Sequence, residues 1–220
     1  MGYLLGIDDA GRGPVIGPMI LAGVLIKKED LPKLKALKVK DSKQLTQPQR
    51  EKLAIQIEKI SEFEIIKTYP EEIDSAVQGG LNLNRLEAVK MANIVNSLAG
   101  KKEAEIIIDC PSVNILAWKN YLLTHIDSVQ NKHFIVEHKA DERYAVCSAA
   151  SILAKVAREK EIALIKKRLG IEFGSGYPAD PITIEFLRKS GKKYEKQGII
   201  RKSWQTWQAI KKKSSQRNLF

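Results

Sequence analysis

The sequence is poor in the residues that build disulfide frameworks and thiol or imidazole metal sites. It contains two cysteines, Cys110 and Cys147, with no C-x-x-C spacing, and three histidines in 220 residues. A disulfide-rich fold and a zinc site are therefore not expected, and the two thiols indicate a reducing compartment. The longest apolar stretch, around residues 19–26, is too short to cross a bilayer, and we find no signal peptide. We expect a cytoplasmic protein with no membrane partner.

Acidic residues are scarce at the C-terminal end. The whole chain has a net charge of +11, and residues 181–220 hold eleven of its 37 lysines and arginines but only two acidic residues. Such a basic segment, which also carries Trp204 and Trp207, suits the phosphate backbone of a nucleic acid. A solvated helix with lysine-rich ends explains the charge equally well. We predict a first domain over residues 1–180 and a basic helical segment with a tail over residues 181–220.

Short apolar runs alternate with amphipathic segments through most of the chain. Strands are predicted over residues 3–8, 18–27, 63–69, 104–109 and 133–138, and helices over residues 45–60, 81–100, 112–126 and 141–169. A loop at 174–181 and one or two basic helices follow. This alternation predicts an α/β fold with some parallel pairing. Only a loop joins the first two strands, which favours an antiparallel pair and hence a mixed sheet.

Aspartates stand at the end of two predicted strands and shortly after the end of a third. Asp8 and Asp9 end the first strand, Asp109 ends the fourth, and Asp141 begins the helix after the fifth. The carboxyl ends of parallel strands share one edge of a sheet, so the four can converge. Grouped carboxylates repel each other, and folding does not favour the arrangement unless a cation neutralises it. Oxygen ligands suit Mg²⁺ or Mn²⁺, and a pair of such ions can cleave phosphodiesters.

Each aspartate taken alone also has a purely structural explanation. Asp141 can cap a helix, Asp109 can form a turn before Pro111, and Asp8 and Asp9 can be a polar strand end. The metal site is favoured because all four share one predicted edge. No Ser/His/Asp or Cys/His nucleophile arrangement competes with it. His138 is better explained as a hydrogen-bonded structural residue, or as a residue that orients a metal ligand, than as a metal ligand itself.

Two loops carry residues that suit a sugar or a phosphate. Gly11, Arg12 and Gly13 follow the aspartate pair; the glycines allow close backbone approach, and the arginine is a planar donor. Lys43, in the loop at 40–46, offers a second phosphate contact. Both stretches also occur as ordinary turns.

Five stretches carry a family resemblance: GIDDAGRGPVIGPM, VKDSKQLT, IIIDC, EHKADERYAVCSAASILAKVAR and GSGYPADP, in this order between residues 6 and 181. In them the chain closely resembles type 2 ribonuclease H, in particular its single-chain archaeal form. The resemblance implies a ribonuclease H-like mixed sheet flanked by helices, with a helical C-terminal subdomain. We expect a monomer, because nothing in the sequence predicts a dimer face.

The resemblance also implies the activity. Such an enzyme hydrolyses the RNA strand of RNA/DNA hybrids and cuts on the 5′ side of single ribonucleotides in duplex DNA. It leaves 3′-hydroxyl and 5′-phosphate ends, and it serves RNA primer removal and ribonucleotide excision.

The resemblance further assigns roles to residues. The ligands of two Mg²⁺ or Mn²⁺ ions would be Asp8, Asp9, Asp109 and Asp141. The substrate contacts would be Gly11, Arg12, Gly13, Lys43 and Tyr177. The G-R-G loop would recognise the ribose 2′-hydroxyl chiefly through backbone groups, and Tyr177 would pack on the next sugar. The family usually has Asp-Glu where this chain has Asp8–Asp9, so the second carboxylate reaches about 1.5 Å less far.

The last five residues, QRNLF (216–220), resemble the start of a sliding-clamp-binding peptide, although a tail without a partner explains them as well. Two other functions stay open. A non-catalytic nucleic-acid-binding protein with a vestigial acidic edge is the first, but binding a polyanion does not favour four grouped carboxylates. A junction resolvase or transposase on the same fold is the second, and it would require cleavage of DNA, usually by a dimer.

Overall fold

The computed structural model of the chain describes residues 2–39 and 45–216, with side chains up to residue 213. Its strands are β1 (Tyr3–Ala10), β2 (Met19–Lys27), β3 (Glu62–Thr68), β4 (Ala104–Asp109) and β5 (Lys132–Glu137). Its α-helices are α1 (Leu31–Ala36), α2 (Gln47–Ile60), α3 (Pro70–Gln78), α4 (Leu83–Leu98), α5 (Ile115–Leu123), α6 (Ala140–Arg143), α7 (Ala145–Leu169), α8 (Pro181–Tyr194) and α9 (Gln205–Gln216). None of the helices in these ranges is long and apolar enough to cross a membrane.

The strands form one sheet in the order β3-β2-β1-β4-β5. β1 is antiparallel to β2 and parallel to β4, and β4 is parallel to β5. The predicted mixed sheet is confirmed. Because β1, β4 and β5 run in the same direction, their carboxyl ends lie at one edge of the sheet.

The chain divides into two compact units that interleave along the sequence. Unit 1 comprises Met1–Ala10, Ile20–Ile66 and Asn84–Ala157, and unit 2 comprises Gly11–Met19, Lys67–Leu83 and Arg158–Phe220. The boundary predicted at residue 180 lies inside unit 2, so it is not a limit of either unit. As a division into domains it stays a prediction.

Glycines allow helices to pack closely on both faces of the sheet in unit 1. A Cβ atom at Gly6 of β1 would collide with the backbone of Val146 in α7. On the other face, a Cβ atom at Gly23 of β2 would collide with Ile94 of α4. Small residues of α7 are buried, among them Ala149 and Ala150.

Unit 2 has an apolar core of its own. It is built from the segment after β1, the C-terminal half of α7, and the chain around α8 and α9, and its buried members include Ile16, Phe173, Phe186 and Trp207. The sequence predicted one or two basic helices after the loop at 174–181, and the described residues up to 216 form two α-helices there, α8 and α9.

The helix predicted over residues 141–169 is broken near its start. Tyr144 has extended backbone angles (φ −115°, ψ 122°) and separates the short α6 from α7. α6 begins after Lys139, whose φ of 57° lies in the left-handed region. Periodicity could not reveal this break, because each residue involved is compatible with a helix. The short α1 and α3 were not predicted either.

Candidate metal centre and substrate loops

Three aspartates meet at the carboxyl edge of β1, β4 and β5. Asp8, Asp109 and Asp141 each offer one carboxylate oxygen, and these oxygens lie within 4.8 Å of one another. Asp8 and Asp141 are buried, and Asp109 is half-buried. The three residues are far apart in the sequence, so the topology of the sheet brings them together.

Local geometry fixes each of these side chains. Asp8 lies on the same face of β1 as Gly6, the face that α7 covers, and its Oδ1 accepts the N–H of Asp9 at 2.7 Å. Asp109 is the last residue of β4, and its Oδ1 accepts the N–H of Lys139 at 2.9 Å. Asp141 is the second residue of α6, whose N-cap is Lys139. The alternative that Asp141 itself is the N-cap is therefore wrong.

Burial and neighbouring charges raise the pKa of two of these carboxyl groups. Burial raises the pKa of Asp8 well above its usual value, and the charge of Asp9 adds to the effect. Burial also raises the pKa of Asp109, followed by the charge of Asp141. The negative charge is thus held here at a cost, which a bound cation would offset. The group offers only carboxylate oxygens, and this donor set fits Mg²⁺ or Mn²⁺.

Asp9 is not part of this group. β1 continues through both aspartates to Ala10, so neighbouring side chains point to opposite faces. Asp9 pairs with Leu21 and shares its face with Ile7 and Gly23, which is the face covered by α4. The structure thus brings three of the four predicted ligands together, and a metal-binding role for Asp9 stays a prediction.

The segment Gly11–Gly13, which we call the glycine loop, lies in unit 2. Gly11 has a φ of +81°, a conformation that suits glycine and few other residues. Each carbonyl oxygen of the loop accepts a hydrogen bond. Arg201 donates to Gly11 at 2.6 Å through Nη2 and to Arg12 at 2.7 Å through Nη1, and Trp204 Nε1 donates to Gly13 at 3.1 Å.

Tyr177 lies beside the glycine loop in the same unit. A Cβ atom added at Gly13 would be 3.7 Å from Cε1 of the Tyr177 ring, and the tyrosine is 39% exposed. The guanidinium of Arg158 stacks on the ring at 4.9 Å from its centroid, and its Nη2 donates to the carbonyl of Ser175 at 3.0 Å. Arg158 is buried, and its side chain also fills the space next to Gly11. It thus contacts both predicted substrate elements.

The loop that carries Tyr177 is tied down at Asp180, the N-cap of α8. Its Oδ2 accepts the N–H of Ser175 at 2.6 Å and the hydroxyl of Ser175 at 2.8 Å. These bonds lower the pKa of Asp180 from 3.8 to about 2.

The basic C-terminal segment is only partly a solvent-facing surface. Arg201 is fully buried and Trp207 is 1% exposed, so both are structural members of unit 2. Sequence reasoning treated the basic segment as a whole, without separating Arg201 from its other charges, and did not single out Arg158. Charge and spacing carry no signal that separates a buried arginine from a surface one.

His138 and Lys43 are two further residues that the sequence singled out. The Nδ1 of His138 lies 2.9 Å from the carbonyl oxygen of Cys110, as expected for a hydrogen-bonded structural residue. Lys43 lies outside the described residues, and of the tail 216–220 only Gln216 is described, as the end of α9.

Similarity to known proteins covers almost the whole chain. Residues 5–207 match the family described as Ribonuclease HII. A ribonuclease HII of Methanococcus maripaludis strain C7 is 42% identical over 221 residues, which are 99% of this chain and 90% of the relative.

Two solved structures are similar as well. The ribonuclease H2 from Pyrococcus horikoshii OT3 has a TM-score of 0.84 and 38% identity, covering 96% of this chain and 98% of that one. The RNase HII in the complex with PCNA from Archaeoglobus fulgidus has a TM-score of 0.76 and 40% identity, covering 86% and 87%. The predicted ribonuclease H-like fold is confirmed, and the chain belongs to the ribonuclease HII family.

Proposed function

We propose that this ribonuclease HII, an endoribonuclease of RNA/DNA hybrids, also cuts duplex DNA on the 5′ side of a single embedded ribonucleotide. The products would carry 3′-hydroxyl and 5′-phosphate ends. The observation that carries the proposal is the glycine loop, whose carbonyl oxygens accept hydrogen bonds from Arg201 and Trp204 and which lies beside Tyr177. This is the arrangement expected of a site that recognises one ribose rather than a long stretch of RNA.

The glycine loop supports recognition of the 2′-hydroxyl. With no side chain at Gly11 and Gly13, a sugar can approach the backbone closely, and a 2′-hydroxyl is the group that distinguishes RNA from DNA at one nucleotide. A site built around a hydroxyl leaves its own polar groups unpaired when that hydroxyl is missing. Such sites discriminate by roughly 10⁴-fold or more.

Tyr177 supports a preference for the junction between a ribonucleotide and DNA. Its partly exposed ring offers an aromatic face, and the guanidinium of Arg158 lies 4.9 Å from the ring centroid. A deoxyribose, which lacks the 2′-hydroxyl, packs on such a face without burying an unpaired polar group. We therefore assign Tyr177 to the sugar that follows the ribonucleotide.

The carboxylate group supports metal-dependent hydrolysis. Asp8, Asp109 and Asp141 would hold the divalent cation, and we propose Asp9 as a further ligand. When bound, such cations generate a nucleophilic hydroxide and stabilise the leaving oxygen of the phosphodiester. The protein orients this ligand set through the N–H of Lys139, which fixes the carboxylate of Asp109.

We also propose a partner and a cellular role. The complex of the Archaeoglobus fulgidus relative with PCNA supports binding of a sliding clamp, and the tail at residues 216–220 is the segment we assign to it. An enzyme that removes RNA next to DNA would serve primer removal and ribonucleotide excision.

The test uses three duplexes of one sequence: all DNA, DNA with one ribonucleotide, and a hybrid with a continuous RNA strand. We expect cleavage of the last two in Mg²⁺ or Mn²⁺, with the embedded ribonucleotide cut on its 5′ side, and none of the first. The variant Asp109→Asn is the control for contaminating nucleases. Efficient cleavage of all-DNA duplex would instead favour a resolvase, and binding without cleavage of any duplex would favour a non-catalytic binding protein.

A further inference from the structure

A four-residue segment near the C-terminus, Arg201–Trp204, holds the backbone of the glycine loop through its first and last residues, Arg201 and Trp204. We call this segment the C-terminal turn. Besides its bonds to Gly11 and Arg12, the guanidinium of Arg201 donates to the carbonyl of Gly17 at 3.0 Å through Nε. All donor nitrogens of one buried side chain are therefore used on the backbone of residues 11–17. Trp204 continues the same contact with its bond to Gly13.

The C-terminal turn is itself firmly attached within unit 2. The chain before it pairs with the chain after the glycine loop, through a β-bridge between Ile16 and Ile200 and a bond from the Arg201 N–H to Val15. The chain after Arg201 is fixed by Asp74 of α3, which is buried. The Asp74 carboxylate accepts the N–H groups of residues 202 and 203 at 2.8 and 2.9 Å and the hydroxyl of residue 203 at 2.6 Å.

Internal stacking completes the C-terminal turn. The guanidinium carbon of Arg201 lies 4.8 Å from the centre of the Trp204 ring. The two side chains that hold the glycine loop thus also hold each other. Hydrogen bonds from a charged guanidinium are about twice as strong as neutral ones, so this is a stiff attachment for a loop with two glycines.

We propose that the C-terminal turn is a positioning element for ribose selectivity, with Arg201 and Trp204 as its positioning residues. By holding the three carbonyls of the glycine loop, it fixes the backbone groups that meet the 2′-hydroxyl before substrate arrives. Preorganisation of this kind increases affinity because the cost of ordering the loop is met on folding. The proposal rests on the proposed function of the glycine loop. It adds that selectivity depends on a segment about 190 residues away in the sequence, as the Trp204 to Gly13 bond illustrates.

The test compares Trp204→Phe with Trp207→Phe. The first keeps an aromatic ring and removes the N–H that bonds Gly13. The matched control, Trp207→Phe, removes the indole N–H of a tryptophan three residues further along the chain. That N–H points to Oε1 of Glu195 at 3.4 Å and not to the glycine loop. Arg201→Lys is the stronger perturbation, and Trp204→Phe keeps the proposal testable if that variant does not fold.

Two measurements are made on each protein. The first is amide hydrogen exchange of peptides covering residues 10–17 in the free protein. The second is binding, in EDTA so that nothing is cleaved, of a DNA duplex with one ribonucleotide and of the same duplex without it. The ratio of the two dissociation constants is the ribose preference, and affinity for the all-DNA duplex serves as the internal control.

We expect faster exchange in residues 10–17 and a loss of about fivefold in ribose preference for Trp204→Phe, the effect of one hydrogen bond. The loss is larger for Arg201→Lys, and Trp207→Phe changes neither quantity. Unchanged exchange in both turn variants, or unchanged preference despite faster exchange, would overturn the proposal. If the unmodified enzyme showed no ribose preference while exchange rose in the turn variants, the proposed function would fail and the attachment of the loop would stand.

Discussion

Replacement of Asp109 by asparagine separates two properties of the three grouped carboxylates: the repulsion that destabilises the fold and the binding of metal that catalysis requires. The substitution removes one negative charge and keeps the shape of the side chain. Asparagine also retains an oxygen that can accept the N–H of Lys139, so the hydrogen bond at 2.9 Å need not be lost. We expect the variant to be inactive on hybrids, yet more stable than the unmodified protein when no divalent metal is present.

The size of the stabilisation follows from the spacing of the charges. At an effective dielectric constant of about 20, two unit charges at the 4.8 Å limit of the group repel by roughly 3.5 kcal/mol. Protonation relieves part of this repulsion, because burial raises the pKa of both Asp8 and Asp109. We therefore expect a net gain of about 1–3 kcal/mol for Asp109→Asn in the absence of metal. For a chain of this size that corresponds to an increase in Tm of about 2–12 °C.

The assay is thermal unfolding near neutral pH, once in EDTA and once with Mn²⁺. In EDTA the variant should melt above the unmodified protein, and added Mn²⁺ should raise the Tm of the unmodified protein more than that of the variant. Asp127→Asn, at an exposed position, is the control for a change in net charge alone. A lower Tm of Asp109→Asn in EDTA, or an equal response of both proteins to Mn²⁺, would refute the reasoning.

Hydrogen bonds from Ser175 lower the pKa of Asp180 from 3.8 to about 2, so the Asp180 carboxylate stabilises the fold above about pH 4. In urea unfolding, the difference in stability between the unmodified protein and Asp180→Asn should shrink as the pH falls towards 2. A difference that stays constant with pH would contradict this. Tyr177→Ala should slow cleavage at a single ribonucleotide more than cleavage within a continuous RNA strand. Arg158→Met should reproduce part of that effect and should add little when combined with Tyr177→Ala. Equal losses of rate on both substrates would show that Tyr177 only maintains the shape of its loop. Asp9→Glu should raise the initial rate of cleavage, most of all with Mg²⁺, which demands near-ideal geometry. If the variant and the unmodified protein have equal rates in Mg²⁺ and also in Mn²⁺, Asp9 does not bind the ion.

The strands and the convergence of three aspartates could be predicted because they follow from local patterns and one rule of topology. Apolar runs fixed the strands, and parallel pairing brought Asp8, Asp109 and Asp141 to one edge. The expectation for Asp9 depended on where β1 ends. If the strand stopped at the aspartate pair, both side chains could turn to the metal; since it continues to Ala10, strict alternation separates them.

The buried arginines mark the limit of sequence reasoning. A lysine-rich segment is expected to lie at the surface, and most of the charged side chains in this one are exposed, for example Lys189, which pairs with Glu185. Arg201 differs only in what surrounds it: the carbonyls of a distant loop, which composition cannot reveal. The role of Asp74 in α3 could not be predicted either, because it consists of three hydrogen bonds accepted from a segment more than 120 residues away.

The division into two units makes the proposed roles separable by experiment. The carboxylates Asp8, Asp109 and Asp141 belong to unit 1, whereas the glycine loop, Tyr177 and the residues that hold them belong to unit 2. Each set is stabilised by contacts inside its own unit: the carboxylates by the ends of β1 and β4 and by α6, and the loop by Arg158 and the C-terminal turn. Substitutions in the turn should therefore change ribose preference and leave the response of Tm to Mn²⁺ intact. Substitutions of the carboxylates should weaken that response and leave the preference for a ribonucleotide in metal-free binding.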